Sequence, residues 1–176
     1  MDDSLTPRQR DILATARRIL EAEGPDALTM RRLADEIGIK APSLYKHVAD
    51  KAALEALLIE SGFTELAEQL EGIPAGSSDV DRITLLAVTY RRYANAHPHL
   101  YRLLTVGALP RERLRPGVEA RAAQPVIDAA GDPDRARALW AFAHGMAILE
   151  IDGRFPPGAD LDAAWRTGIA AFTGAA

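Results

Sequence analysis

The chain lacks cysteine altogether, which excludes disulfide scaffolds, thiolate metal sites and cysteine nucleophiles. It also lacks a long apolar run: the longest stretch without a charged residue, 138–149, has 12 residues and is too short to span a bilayer. Residues 1–4 (MDDS) contain neither the basic nor the apolar region of a secretory signal, so we expect a cytoplasmic protein. Hydrophobic residues still make up 48% of the 176 residues, enough to bury a core.

Lysine is scarce, and its three copies, Lys40, Lys46 and Lys51, fall within one 12-residue window. The formal net charge of −4, taken whole, argues against a polyanionic partner. Sorted by position, residues 38–51 carry +2, because their three lysines outnumber the single acid Asp50, and the rest of the chain carries −6. Since basic side chains supply most of the sequence-independent affinity for DNA, this asymmetry favours a nucleic-acid partner.

Signals of β-strands are also missing from the sequence. Apolar residues recur at helical spacing along the chain, and Pro, Thr, Asp and Gly stand where helices begin and end. The pattern Thr6 to Gln9 has the form of a capping box, and Pro125 is expected to bend the seventh helix. We therefore predict an all-α protein of about nine helices.

Residues 29–47 have the pattern of two short helices joined by a tight turn. Ala34 is small where the second helix must approach the first, and Gly38 permits the positive φ of a sharp helix exit. In a helix-turn-helix the first residues of the second helix reach base edges in the major groove; here they are Lys40, Ala41, Pro42 and Ser43. An αα-hairpin inside an ordinary helical bundle has the same pattern, and the residues alone leave that alternative open.

Residues 29–58, with the run Pro42-Ser43-Leu44-Tyr45-Lys46-His47-Val48 followed by Asp50-Lys51 and Leu54, closely resemble the DNA-binding domain of TetR-family transcriptional regulators. The resemblance implies a three-helix head that binds operator DNA as part of a homodimer. It places Arg31, Ala41, Pro42 and Ser43 against bases, and Thr29, Tyr45, Lys46, His47 and Lys51 against the DNA backbone. Ala41 offers no hydrogen bond, so readout there would be apolar, as with a thymine methyl group.

The expected domain organisation follows from these patterns. A helix-turn-helix DNA-binding domain of residues 1–55 precedes a helical regulatory and dimerisation domain of residues 56–176, with the boundary inside the fourth helix. The segment 72–78, rich in Gly, Pro and Ser, is predicted to be a linker within the second domain.

The second domain carries a weaker resemblance. Trp140, His144 and Gly145, followed by residues 149–155, look like the C-terminal domain of the TetR subfamily named for a Trp-His-Gly signature. Trp140 and His144 are four residues apart and share a helix face, which suits a small-molecule pocket, and Gly145 suggests close approach of another helix or a ligand. The candidate ligand-binding residues are Tyr90, Tyr101, Trp140, Phe142 and His144, each of which has a plain core role as its alternative.

The eighth helix is apolar nearly all round, a pattern of helices buried in a core or between subunits. By resemblance, the last two helices, about residues 132–151 and 161–175, would pair with those of a second subunit. A monomeric bundle with an internal helix is the alternative.

Enzyme and metal chemistry have little support. His97 and His99 lack a standard zinc spacing, and no phosphate loop or nucleophile elbow is present, so we expect no cofactor and no metal. We expect instead a ligand-responsive repressor that binds a palindromic operator as a homodimer and is released by a small-molecule effector. The alternatives are a small all-α enzyme that uses His144 with Glu150 or Asp152, and a helical protein–protein adaptor.

Overall fold

The computed structural model describes residues 5–74 and 78–173, which form nine α-helices and a short 3-10 helix, without a strand. The α-helices are α1 Pro7–Glu23, α2 Met30–Ile37, α3 Ala41–Tyr45, α4 Lys51–Glu71, α5 Asp79–Ala96, α6 Pro98–Thr105, α7 Val118–Ala130, α8 Pro133–Ile151 and α9 Leu161–Thr173, and the 3-10 helix is Arg111–Arg113. The predicted all-α class is confirmed. Residues 75–77 of the predicted linker and 174–175 of the predicted last helix lie outside the described residues.

Across the described part of the chain, no helix is both long enough and apolar enough to cross a membrane. The longest, α4, has 21 residues but carries acidic side chains along its length.

The helices form two compact units. The first, here called the head unit, contains residues 1–63 and 97–118, and the second, the body unit, contains residues 64–96 and 119–176. The head unit thus takes in α6 and the 3-10 helix, which lie far along the chain from α1, α2 and α3. The two domains predicted as continuous stretches, 1–55 and 56–176, stay a prediction.

The head unit has one apolar core to which five helices contribute. Its fully buried members include Ile12, Ile19 and Leu20 of α1, Leu33 of α2, Leu44 of α3, Leu54 and Leu58 of α4, and Leu100 of α6. The predicted capping box begins α1, with the Thr6 hydroxyl accepting from the Gln9 backbone and the Gln9 side chain accepting from the Thr6 backbone. The head unit is therefore built around α1 as well as the helix-turn-helix.

Two contacts fix α6 within the head unit. The Glu21 carboxylate of α1 accepts the backbone N–H groups of His99 and Leu100 at 3.3 and 2.9 Å, so it caps the start of α6. On α4, a Cβ placed on Gly62 would lie 2.7 Å from Leu104 Cδ1. Glycine at this position lets α4 and α6 approach closely.

The body unit packs α5, α7, α8 and α9 around Ile83, Leu86, Leu139, Trp165 and Ile169, all of them buried. Pro125 lies inside α7 and is buried there. Gly168 of α9 lies directly under the ring of Phe142, which a Cβ at that position would overlap. The close packing of α8 on α9 therefore depends on this glycine.

The helix α8 is buried on one side within the chain. Ala136, Leu139, Ala143 and Ala147 face the core, whereas Trp140 is 51% exposed and Leu149 is also exposed. Among the described residues, no atom beyond the chain neighbours and the α8 backbone lies within 4 Å of the position that a Cβ on Gly145 would take, so no other helix of this subunit approaches closely there. At 100° per residue, Trp140 and Leu149 stand at opposite edges of the exposed half of α8, with Gly145 between them, and this half is called the open side below.

Candidate nucleic-acid interface

The helix-turn-helix is held by its backbone caps. Thr29 begins α2, its hydroxyl accepting the Arg32 N–H at 3.1 Å. Gly38 ends α2 in the left-handed conformation, at φ +72°, and the next residue, Ile39, donates to Ala34 at 3.0 Å. This turn carries the chain directly into α3.

The short helix α3 divides its side chains between core and solvent. Leu44 and, just beyond α3, Val48 are buried in the head unit. Of the ten residues predicted to contact DNA, nine are exposed and Ala41 is half-buried; the exposed ones are Thr29, Arg31, Lys40, Pro42, Ser43, Tyr45, Lys46, His47 and Lys51. The structure therefore leaves nine of the ten predicted contacts exposed, on the helix-turn-helix and at the start of α4.

The basic side chains of this surface are loosely held. Arg31 is 93% exposed, and its Nε lies 4.0 Å from Asp35 Oδ2. Lys51 Nζ lies 3.7 Å from Glu55 Oε1, also at the surface. Because exposed pairs of this kind contribute about 0–1 kcal/mol, each cation can exchange its carboxylate for a phosphate at little cost.

Arg32, the neighbour of Arg31, is held very differently. It bonds the carboxylates of both Glu36 and Glu23, which raises the pKa of the guanidinium further above its ordinary value. Glu36 also accepts from Arg18 of α1, and the hydrogen bonds from Arg32 and Arg18 lower the pKa of this carboxyl. This network ties α2 to α1, so adjacent arginines have separate roles.

The distribution of charge separates the two units. The head unit contains 13 basic and 12 acidic residues, a net charge of +1, whereas the body unit contains 8 and 13, a net charge of −5. The unit that presents the helix-turn-helix is the basic one, as a nucleic-acid surface requires.

The head unit contains a second group of basic residues, Arg113 and Arg115, which the sequence pattern did not predict. Arg115 donates from its backbone N–H and, at 3.0 Å, from its Nε to the carboxylate of Glu60, which is buried. Arg113 Nη1 lies 3.7 Å from Asp50 Oδ1, at the start of α4. These partners are 55 to 63 residues apart in sequence, too far for any periodic pattern to reveal them.

The five predicted ligand-binding residues are divided between the two units. Tyr101 belongs to the head unit and is fully buried, while the other four belong to the body unit. Trp140 and His144 stack with ring centroids 5.7 Å apart on the open side of α8, and burial lowers the pKa of His144. Phe142 instead packs edge-on against Trp165, with ring centroids 5.7 Å apart, and Tyr90 is buried on α5.

Glu150, the predicted partner of His144 in an enzyme, is bound elsewhere. Its two carboxylate oxygens accept from Arg91 Nε and Nη2, both at 2.9 Å, and one also accepts from Trp165 Nε1 at 3.2 Å. Burial alone would raise the pKa of this carboxyl, but the hydrogen bonds from Arg91 and Trp165 outweigh it and lower the pKa. An ionised, fully engaged carboxylate holds α5, α8 and α9 together and is a poor general base.

No group of three or more metal-binding side chains occurs among the described residues. His97 precedes α6 and His99 lies in its first turn, with the His99 ring beside Gly24 of the head unit.

Comparison with family models matches nearly the whole chain. Residues 12–65 match the model of bacterial regulatory proteins of the tetR family, and residues 83–172 match the tetracyclin repressor-like C-terminal domain. Assignment to the Trp-His-Gly subfamily stays a prediction.

Relatives and solved structures agree with these matches. An uncharacterized HTH-type transcriptional regulator of Mycobacterium tuberculosis is 30% identical over 82% of this chain and 71% of its own. The nucleoid occlusion factor SlmA of Vibrio vulnificus is 32% identical over 61% of this chain and 57% of its own length, so this chain spans little more than half of it. The Streptomyces coelicolor TetR family protein ActR, solved in complex with (S)-DNPA, is 24% identical and superimposes with a TM-score of 0.70 over 93% of this chain and 94% of that one.

Proposed function

Because the chain belongs to the tetR family of bacterial regulatory proteins, and is thus a transcriptional regulator and no enzyme, we propose that it represses transcription as a homodimer bound to a palindromic operator. A small-molecule effector releases it. It acts in the cytoplasm, where the chromosome is. The observation that carries this proposal is the exposed basic surface of the helix-turn-helix and the start of α4, where Arg31 and Lys51 make only loose surface pairs and Lys40 and Lys46 are exposed.

The open side of α8 supports the homodimer. Trp140 and Leu149 are exposed there, and the space above Gly145 is empty. A second copy that brings its own α8 and α9 against this side would bury these residues, because an isologous interface joins the same surface of both subunits. The α3 helices of the two subunits would then be held at a fixed separation.

Repression and release follow from that separation. A homodimer reads two half-sites when its α3 helices lie about 34–36 Å apart, or a multiple of that distance. An effector bound in the body unit that prefers a different separation lowers operator affinity by its differential affinity for the two states. Trp140, His144, Phe142 and Tyr90 are the proposed effector contacts in this unit, and Tyr101 is the one proposed in the head unit.

DNA binding by the purified chain tests the proposal. Fluorescence anisotropy with a labelled duplex from upstream of its own gene should show tight, salt-dependent binding. Lys46→Ala and Tyr45→Ala should each weaken it at least severalfold, with unchanged circular dichroism, because each removes a backbone contact. Arg92→Ala is the matched control, since Arg92 is exposed on α5 of the body unit.

Two outcomes would contradict the proposal. If neither salt nor the Lys46 and Tyr45 substitutions altered the affinity for DNA, recognition of DNA by this surface would be ruled out. If the chain sedimented as a monomer at every concentration, the proposed homodimer would be ruled out. Leu149→Arg, which places a charge on the open side of α8, should then leave the sedimentation unchanged. If the homodimer forms as proposed, Leu149→Arg should dissociate it.

The similarity to a nucleoid occlusion factor favours a second candidate, a chromosome-wide role. Chromatin immunoprecipitation separates the two, because a repressor should occupy a few promoters and a nucleoid factor many sites spread over the chromosome.

A further inference from the structure

We infer that Arg113, outside the helix-turn-helix, supplies an additional contact to a DNA phosphate in each protomer. This inference rests on the proposed DNA-binding function and extends its surface to the segment that follows α6. The place of Arg113 beside the start of α4, the end of the helix that carries Lys51, is the observation that leads to it.

The segment 111–115 contacts α4 and the residue before it. Arg115 is fixed at Glu60, and Arg113 lies at Asp50, which directly precedes α4 and is ten residues before Glu60, about 15 Å along the helix axis. Asp50 itself caps α4, its Oδ1 accepting the Ala53 N–H at 2.7 Å. The guanidinium of Arg113 is therefore placed at the helix end where the predicted phosphate contact Lys51 stands.

A cleft joins Arg113 to another predicted backbone contact. His47, between α3 and α4, lines the same open cleft of about 370 Å³ as Arg113, together with Gln9, Leu57 and Glu60. Gln9 Nε2 donates to the His47 carbonyl at 3.3 Å and so fixes this wall of the cleft. Arg113 and His47 thus line one cleft, and Lys51 follows directly after Asp50, the residue beside Arg113.

The two arginines of this segment differ in how firmly they are held. Arg115 makes two hydrogen bonds to a buried carboxylate and anchors the segment. Arg113 is 46% exposed and 3.7 Å from a carboxylate that is itself more than half exposed, a distance too long for a hydrogen bond. Such a pair is weak, and a phosphate group can replace Asp50 as its partner.

The neighbouring acids limit the expected gain. Asp50 and Glu112 both lie next to Arg113 in space or sequence, and Lys51 is near Glu55. Since Arg111 and Arg113 flank Glu112, the 3-10 helix retains a net positive charge, and an ion pair with DNA remains favourable.

The salt dependence of operator binding tests the inference with the full-length homodimer. Each phosphate contact contributes about 0.9 to the slope of log K against log salt concentration, so Arg113→Ala should reduce the slope of the dimer by about 2. Between about 50 and 200 mM salt the ratio of wild-type to variant affinity should therefore change about tenfold. Arg113→Lys keeps the charge and should keep the wild-type slope, and Arg92→Ala, at an exposed position of the body unit, should keep it as well.

Asp50→Asn separates a phosphate contact from a merely structural pair. Asparagine can still cap α4, and loss of the acid frees Arg113, so this variant should bind as tightly as wild type or more tightly, with a slope at least as steep. Equal weakening by Asp50→Asn and Arg113→Ala, with an unchanged slope in both, would overturn the inference while leaving the proposed function intact. Absence of salt-dependent binding by the wild type would overturn both.

Discussion

The exposed arginines near the helix-turn-helix and the engaged arginines of the body unit are held in opposite ways. Around the helix-turn-helix, Arg31 and Arg113 stand at the surface beside carboxylates 4.0 and 3.7 Å away. In the body unit, Arg91 bonds two carboxylates and lies over the ring of Trp165, and Arg121 makes two bonds to Glu71 at 2.8 and 2.6 Å. Loosely held cations are available to an outside partner, whereas engaged ones join helices. Charge composition alone does not distinguish the two uses.

The largest effect is expected from Arg91→Ala in the body unit. It leaves Glu150 partly buried without its bidentate partner, at an expected cost of about 2 kcal/mol, below the range for fully buried pairs because both side chains are about one-fifth exposed. Urea unfolding measures the loss. Arg91→Lys should recover part of it, and Arg92→Ala, at the exposed neighbouring position, should lose almost nothing. If Arg91→Ala and Arg92→Ala were equally stable, the Arg91 network would not hold these helices together.

Gly168→Ala should be next in size. The new methyl group overlaps the Phe142 ring, which must move from its contacts with Trp165 and Phe172, at a cost of about 1–3 kcal/mol. Combining it with Phe142→Leu should restore part of the stability lost in thermal unfolding.

Gly145→Ala is the matched control for Gly168→Ala. With open space at Gly145, the alanine should stabilise the helix by up to about 1 kcal/mol in an isolated subunit. If α8 pairs with a second copy as proposed, the same variant should weaken dimerisation in sedimentation experiments. A stabilised subunit with unaltered dimerisation would place the interface elsewhere.

Arg31 and Arg32 of α2 allow the loosely held and the engaged arginines to be compared within the head unit. Arg31→Ala should weaken operator binding about tenfold or more, the size of one lost contact to a base in each half-site, and leave the unfolding midpoint unchanged. Arg32→Ala should lower the unfolding midpoint, because it breaks the network with Glu36 and Glu23, and affect affinity less. Anisotropy measures the affinity and denaturation the unfolding midpoint. If Arg31→Ala lowered the midpoint and Arg32→Ala weakened binding more, the separate roles of these two arginines would be contradicted.

The smallest expected effect concerns pH. Burial lowers the pKa of His144, so the folded state binds its proton less readily than the unfolded state. This histidine therefore contributes stability that is fully present above the ordinary histidine pKa of about 6.5 and declines as the pH falls through that value. His144→Gln should flatten the dependence of stability on pH between about 7 and 5. An identical pH profile for both proteins would contradict a buried, neutral imidazole.

Much of the fold was predictable because its signals are local. The capping box at Thr6 and the left-handed Gly38 each depend on residues within one turn of helix, and both appear in the structure as expected. The exposure of Tyr45 and Lys46 opposite the buried Leu44 follows from helical spacing in the same way.

The exposure of one side of α8 could not be predicted from its sequence. Its apolar sequence predicts burial, but Trp140 lies outside the core of its own chain because the buried side is formed by small residues such as Ala143 and Ala147. A sequence pattern does not tell whether an apolar residue is covered by its own subunit or by another one.

The sequence by itself determined the all-α class, the helix-turn-helix and its exposed basic face, because helical periodicity and capping act over three or four residues. Only the tertiary structure decided which charged residues are engaged. Glu60 meets Arg115, Asp50 meets Arg113 and Arg91 meets Glu150 across more than 50 residues of chain. Such pairs form when packing of the apolar core brings distant segments together, and that packing leaves no periodic trace in the charged residues themselves.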